Sequence, residues 1–534
     1  MSGSTPTKPS SAAESAFVLG LDGIPWELID RWTEDGALPN FARMRNEGAS
    51  GPLDSTRPAT TPLAWPAIST GVWPDKHGIY GFQKLSSSYS QRMYTSQDCT
   101  QPPLWEQLDS VAVGNVPMTY PANEVDGELV TGMITPSVDH EFTHPPELAD
   151  TIKDRIPDYK ISLNYPDYAN RLDDFEDAVS DILSNRRDLM RLLLERANEP
   201  ELVFFVYTAP DRFQHLVWDE DRILEHYKDL DDILGEVIEY TDEQGADLYV
   251  VSDHGFGPIE RLAYPNHILE REGYLFQEED DGTRGALASL GISRDRVTGA
   301  LNRIGISEKF LLSALPRRLV DSVAEQIPGQ HALYDVDYER TMAFVHDTGT
   351  LYINDTDRFE DGVVAADRRP ALRTELRELF ESITDEDGER VFVVYDGAEL
   401  FQTDPNAPDL VINGTDKYEA RNAITETVFG DPSPTAASHR AEGIMLCRGP
   451  SIEPGGTIRG ARVVDVAPTL LHGIGKPVPS NADGRVLFDA YHPEAEPSGS
   501  KVRRTEMAEK RDERTVDEDF SGVEDRLKGL GYME

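Results

Sequence analysis

Lysine is scarce in this 534-residue chain: of 51 cationic side chains only 12 are lysine, against 97 carboxylates. The formal net charge of −46 excludes a nucleic-acid polymer as partner, and an anionic membrane surface for the same reason. Cysteine is scarcer still. Cys99 and Cys447 cannot build a disulfide framework, and two lone, buried thiols are expected. No stretch of about 18 apolar residues occurs, so no segment is suited to spanning a bilayer. Residues 1–14 are rich in Ser, Thr and Pro and contain no apolar core, which reads as a disordered leader and not a signal peptide. Together these absences point to a soluble, cytoplasmic protein. An acidic excess poor in lysine also suits a salt-loaded cytoplasm, where carboxylates hold hydration and salt screens their repulsion. A halophilic protein is therefore the favoured reading over an acidic mesophilic one.

What is present is enough apolar material, 39% of residues, for a sizeable core. From residue 17 to about 265, apolar strand-like runs alternate with amphipathic helical segments, which predicts a mainly parallel sheet. Residues 172–197 carry a long helical pattern. The texture then changes. A helical stretch near 304–326 precedes short strands at 350–353 and 391–395, and an inserted α+β cap is expected there. The implied division is a leader at 1–15, a catalytic core at 16–265 and 421–492, a cap at 266–420, and a charged C-terminal tail at 493–534. That tail ends in a short helical pattern at 523–530.

Three strand-like runs end in metal-ligand residue types. The first is Phe17-Val18-Leu19-Gly20-Leu21-Asp22-Gly23. The second is Leu202-Val203-Phe204-Phe205-Val206-Tyr207, followed by Asp211 and His215. The third is Leu248-Tyr249-Val250-Val251-Ser252-Asp253-His254. Open α/β sheets carry their chemistry at the carboxyl ends of strands, so these side chains can converge on one crevice. Carboxylate plus imidazole suits zinc, manganese or a similar divalent ion. In Pro58-Ala59-Thr60-Thr61-Pro62-Leu63-Ala64-Trp65-Pro66, proline is tolerated in a first helical turn, so a helix beginning between Pro62 and Pro66 is expected. Its positive end would lie just beyond Thr61, where a hydroxyl can be polarised. From this segment alone, a simple threonine N-cap explains as much.

Leu21-Asp22-Gly23, Thr61 with Trp65, Thr70-Gly71 and Lys76-His77-Gly78-Ile79 together resemble the alkaline phosphatase superfamily. More narrowly they resemble its type I phosphodiesterase/nucleotide pyrophosphatase group, with microbial phosphohydrolase or phosphomutase relatives. Asp211-Arg212-Phe213-Gln214-His215, Ser252-Asp253-His254-Gly255, His439-Arg440-Ala441-Glu442-Gly443-Ile444 and Asp465-Val466-Ala467-Pro468-Thr469 follow in the family's order. The resemblance implies a three-layer α/β/α core with a largely parallel central sheet and an inserted cap. It implies Asp211, His215 and His439 as ligands of one divalent ion, and Asp22, Asp253 and His254 as ligands of a second. Thr61 would be bound beside them as nucleophile. Three carboxylates and an alkoxide also balance two divalent cations if the histidines are neutral.

The implied activity is a two-metal phosphodiesterase or nucleotide pyrophosphatase that acts on a small phosphate ester through a phosphothreonine. Rival readings are a phosphomutase, phosphotransferase or phosphomonoesterase on the same site, or a metal-stabilised binding protein. Departures stand out as well. Ala64 occupies the position, three residues after the nucleophile, where the pyrophosphatases usually carry Asn. Pro62 has no N–H to offer phosphate, and Thr60 is an alternative nucleophile. No Cys-x-Pro-x-Arg or Ser-x-Pro-x-Arg signature of sulfatase chemistry occurs. His77, beside the core motif, reads as structural.

Overall fold

Six apolar residues without a charge, Ala16–Leu21, form a strand (β1) buried along its whole length. Such a run cannot alternate between core and solvent, so both faces must be covered. A computed structural model describes residues 13–138, 141–168, 171–278, 336–506 and 518–530. In it β1 lies inside a ten-stranded sheet. The other strands are β2 (Ala49–Asp54), β3 (Val111–Val116), β4 (Gly127–Thr131), β5 (Thr143–His144), β6 (Leu202–Tyr207), β7 (Asp247–Val251) and β8 (Glu442–Arg448), with two short edge strands against β2. The order is β2-β8-β7-β1-β6-β3-β4-β5, and the run from β7 to β4 is parallel throughout. β8 and β5 are antiparallel to their neighbours, so the sheet is mixed but mostly parallel.

Alternate side chains feed two separate cores. Phe17, Leu19, Leu21, Val203, Phe205, Leu248 and Val250 pack on one face, with the helices Leu172–Arg196 (α2) and Glu220–Gln244 (α4). Val18, Phe204, Val206, Tyr249 and Val251 pack on the other, against Trp65 and Ile68 of the helix Thr61–Thr70 (α1). This is the three-layer α/β/α arrangement expected from the sequence. A third apolar cluster belongs to a four-stranded antiparallel sheet in the order Ala343–His346, Thr350–Ile353, Leu410–Gly414, Phe392–Asp396, covered by the helix Arg369–Glu381. It is the inserted α+β part of the fold.

The helical pattern near 304–326 and most of the N-terminal leader lie outside the described residues. Cys447 is buried in β8 as expected, Cys99 is only half-buried, which corrects the expectation for that residue, and no disulfide joins them. Part of the charged C-terminal region packs on the core. The helix Ser521–Leu530 (α5) buries Val523, Leu527 and Leu530 in the first core, and Arg526 donates to the Thr135 carbonyl at 3.0 Å. Among the described residues no helix is long and apolar enough to cross a membrane.

Candidate active site and metal centre

Register brings the strand ends to one level. Leu21 pairs with Tyr207 and Gly20 with Val251, so β6, β1 and β7 terminate side by side. Asp22 follows β1 directly, Asp253 and His254 follow β7, and Asp211 and His215 lie one turn apart on the short helix Ala209–Leu216 (α3) after β6. His439 comes from far along the chain. Its strand, Ala437–Arg440, pairs antiparallel with Gly255–Pro258, which sets His439 opposite Phe256, two residues beyond His254.

The helix α1 starts at Thr61, one residue earlier than expected. Thr60 is the N-cap, but its hydroxyl makes no cap bond and is buried without a partner among the described residues. Pro62 carries no N–H, and the amides of Leu63 and Ala64 both turn back to the Thr60 carbonyl. The donor this helix can aim at an anion is therefore the Thr61 amide. Thr61 Oγ1 lies 3.3 Å from His254 Nε2, inside the acid–imidazole cluster.

The ligand-type atoms form two groups. In the first, Asp211 Oδ1 is 3.6 Å from His215 Nε2 and 3.3 Å from His439 Nε2, and the two nitrogens are 3.2 Å apart. In the second, His254 Nε2 is 3.6 Å from Asp22 Oδ1, 3.2 Å from Asp253 Oδ2 and 3.3 Å from Thr61 Oγ1. A tetrahedral ion with bonds of about 2.0–2.1 Å requires ligand separations of roughly 3.3–3.4 Å. The separations above, 3.2–3.6 Å, lie close to that spacing. The two groups also adjoin, since the rings of His254 and His439 stack at 3.9 Å and Asp211 groups with both. Tautomers are set from outside. Nδ1–H of His254 donates to the Gly255 carbonyl at 3.0 Å and that of His439 to the Ala59 carbonyl at 3.1 Å, leaving each Nε2 lone pair directed inward.

Electrostatics shows what the cluster is short of. Burial first, then Asp253 and Asp211, pushes the Asp22 carboxyl well above the usual range, and burial and Asp211 do the same to Asp253. Burial pushes His254 well below its ordinary value and His215 down to about 3. Asp211 is the exception. The neighbouring imidazoles of His215 and His439 overcome its burial and hold it low. Asp22 Oδ1 is buried and accepts no hydrogen bond among the described residues. Buried acids pressed towards neutrality and imidazoles kept neutral describe a pocket lacking positive charge, which divalent cations would supply.

Supporting residues hold this arrangement, and sequence reasoning missed their roles. Trp65 Nε1 donates to Asp22 Oδ2 at 3.1 Å. A side chain on Gly20 would collide with that indole, since a Cβ there would sit 2.4 Å from Trp65 Cη2. Gly23 has φ +74° and a Cβ position 3.0 Å from Asp211 Cα, so only glycine lets β1 turn this close to α3. Its amide donates to Asp253 Oδ1 at 3.2 Å, and its carbonyl accepts from Gln214 Nε2 at 2.8 Å. The i, i+4 spacing of Thr61 and Trp65 could have revealed their shared helix face. Nothing local signals Gln214. His77 is a buried imidazole that accepts the Ile79 amide at 3.2 Å, with its basicity pushed down to about 3 by burial.

An α/β/α sheet with strand-end carboxylates, imidazoles and a threonine at a helix N-terminus defines a hydrolase architecture of the alkaline phosphatase type. The family model for type I phosphodiesterase / nucleotide pyrophosphatase matches residues 16–444. The chain belongs to that family and is a phosphoric ester hydrolase of the phosphodiesterase class. Human ectonucleotide pyrophosphatase / phosphodiesterase 5 is similar in fold, with TM-score 0.50 and 12% identity over 88% of this chain and 97% of that one. The murine counterpart, as an inactive variant in complex with AMP, gives TM-score 0.49 and 11% identity over 89% and 98%. No curated protein matches the chain in sequence.

Proposed function

We propose that the chain is a two-metal phosphodiesterase with Thr61 as nucleophile. The observation that carries this reading is the pair of adjoining ligand groups, one of which gathers Asp22, Asp253 and Thr61 Oγ1 around His254 Nε2. Asp211, His215 and His439 would hold one ion, and Asp22, Asp253 and His254 the other. The donor set suits zinc, with manganese second. When bound, such ions supply Lewis acidity for an alkoxide and counter-charge for a leaving oxygen.

The chain's own contribution is placement. Thr61 Oγ1 is held at the start of α1, where the amide of the same residue and the helix dipole favour phosphoryl charge. Attack by this oxygen on phosphorus forms a phosphothreonine as the ester oxygen leaves in line, and water then cleaves the P–O bond to return the hydroxyl. Trp65 and Gln214 keep Asp22 and the Gly23 turn in register through both steps. Ala64, buried one turn into α1, offers the phosphoryl group no side-chain donor where the pyrophosphatases usually carry Asn, so any nucleotide preference at this site has to come from other contacts. The −46 charge and the absence of an apolar span support a halophilic, cytoplasmic enzyme.

Thr61→Ala should lower turnover of an aryl phosphodiester by several orders of magnitude while two equivalents of metal are retained. Thr60→Ala should keep most activity. The opposite outcome would move the nucleophile by one residue and sink this assignment.

A further inference from the structure

Between the metal centre and the inserted sheet lies a cavity of about 380 Å³, within the range of small-molecule sites. The core lines it with Thr60, His215 and His439, and the inserted sheet with Val393, Tyr395 and Asn413. Alternation along the edge strand Phe392–Asp396 explains that second wall. Phe392 turns into the core of the inserted part, where its ring meets Phe380 at 5.7 Å. Val393 and Tyr395 therefore share the other face, and Asn413 joins them as the residue paired with Val393 across the sheet. Val393 is 41% exposed, one of four large apolar side chains so open among the described residues. Tyr395 is half-buried, and the Arg57 guanidinium sits 5.8 Å from its ring centroid, which joins this face to the segment leading into Thr61.

Asp22, Thr61, Asp253 and His254 are not among the described residues that line the cavity. It adjoins the ligand group of His215 and His439 instead. In-line displacement places the attacking and departing oxygens on opposite sides of phosphorus. Attack by Thr61 from the His254 group therefore directs the departing group towards His215 and His439, into the cavity. The walls say what that group is. Arg57 donates to Asp54 Oδ1 at 2.7 Å and to the carbonyls of Ser55 and Thr56. Arg440 donates to the carbonyls of Ser438, His439, Pro258 and Asp416. Arg421 is 9% exposed and lies 3.0 Å from Glu419 Oε1. These guanidiniums are engaged by the protein, and two carboxylates, Asp416 and Glu419, line the same space. An anionic leaving group would lose water beside carboxylates and already paired cations, whereas an apolar one covers Val393 and the ring of Tyr395.

We propose that this cavity receives the leaving group of the diester, an uncharged alcohol or phenol with an apolar body, and that Val393 and Tyr395 select it. This rests on the phosphodiesterase reading above. In the step concerned, the Thr61 Oγ1–P bond forms and the P–O bond to the leaving group breaks. The departing oxygen keeps the bonding pair and takes a proton from water, while the Thr61 proton passes to solvent. The same walls disfavour a pyrophosphate, whose leaving group is a charged phosphate.

The test is calorimetric binding of three non-hydrolysable phosphonate monoesters to the metal-loaded, full-length protein: methyl benzylphosphonate, methyl ethylphosphonate and methyl (2-carboxyethyl)phosphonate. Each has carbon in place of the leaving oxygen. The parent should bind the benzyl probe about tenfold more tightly than the ethyl probe, and the carboxyethyl probe no more tightly than the ethyl one. Val393→Asn should cut the benzyl margin by about threefold or more and Val393→Ala by less, with ethyl binding held within about twofold. Val363, 40% exposed but outside the cavity lining, is the control, and Val363→Asn should leave the margin intact. Turnover then fixes the direction. Phenyl and methyl 4-nitrophenyl phosphate differ only in the group that stays on phosphorus, so the ratio of their kcat/KM should agree between parent and Val393→Asn within about twofold. Equal binding of the benzyl and ethyl probes, tightest binding of the carboxyethyl probe, or a margin untouched by both Val393 substitutions would overturn the proposal. So would a ratio that shifts in Val393→Asn, because Val393 would then face the retained group. A parent that shows the margin but hydrolyses neither diester would sink the phosphodiesterase reading and leave the apolar pocket standing.

Discussion

Trp65 does at the scale of one residue what a metal centre needs from its surroundings. Its ring fills the space over Gly20 and its N–H takes one oxygen of Asp22, which leaves the other oxygen for the cluster. Trp65→Phe keeps an aromatic body and removes the donor. The freed Asp22 carboxylate can then rotate, and metal affinity at the Asp22, Asp253 and His254 set should fall roughly tenfold to a hundredfold. Titration of the stripped protein with zinc measures this, alongside a melting curve to show that the fold survives. Unchanged affinity would mean that packing alone orients Asp22.

Among the elements, α3 carries two of the candidate ligands and is held in place by α4. His226 on α4 stacks on Phe213 of α3, with centroids 4.8 Å apart and planes 8° from parallel. Burial keeps this imidazole neutral and pushes its pKa from the ordinary 6.5 down to about 4. A base weakened in the native state is protonated first in the unfolded chain. Its contribution to stability is therefore complete above about pH 6.5, is lost as pH falls, and stops changing below about pH 4. The loss is on the order of 3 kcal/mol. Chemical unfolding at pH 7 and pH 5 should show a smaller acid penalty for His226→Phe than for the parent, because the stack remains without the titrating group. Identical penalties would assign acid sensitivity elsewhere.

Over the whole molecule, the dominant quantity is the charge of −46. It far exceeds the magnitude of about 2–8 that suits a small domain, so self-repulsion should destabilise the fold in dilute buffer. Arginines offset some of it locally. Arg448 joins Glu47 at 2.9 Å and Asp242 at 2.6 Å, and Arg43 meets the same two carboxylates at 3.0 Å each. Melting temperature should rise steeply between low salt and molar KCl. Screening by itself saturates below about 1 M, where the Debye length is near 3 Å. A further rise beyond that would assign the remainder to ion binding or hydration by the carboxylates, and a salt-independent melting point would remove the halophilic reading.

Much of the site was legible in the chain because its pieces are local. A strand buried on both faces is a continuous apolar run, so Asp22 stands out directly after one such run, and Asp253 and His254 stand out after Ser252 at the end of another. Asp211 and His215 carry the i, i+4 spacing of one helix face. The sequence by itself therefore determined the fold class, the strand-end acids and imidazoles, and the threonine beside a helix start. Only the tertiary structure decided how these combine. Adjacency of β7, β1 and β6 depends on which crossovers cover which face, and His439 meets the others through a separate two-stranded pairing between segments about 180 residues apart. The indole bond to Asp22 arises between segments remote in sequence. The docking of α5 was hidden because its charged residues mask three apolar side chains that share one helical face. Such contacts depend on distances across the packed core, which no local pattern of residues encodes.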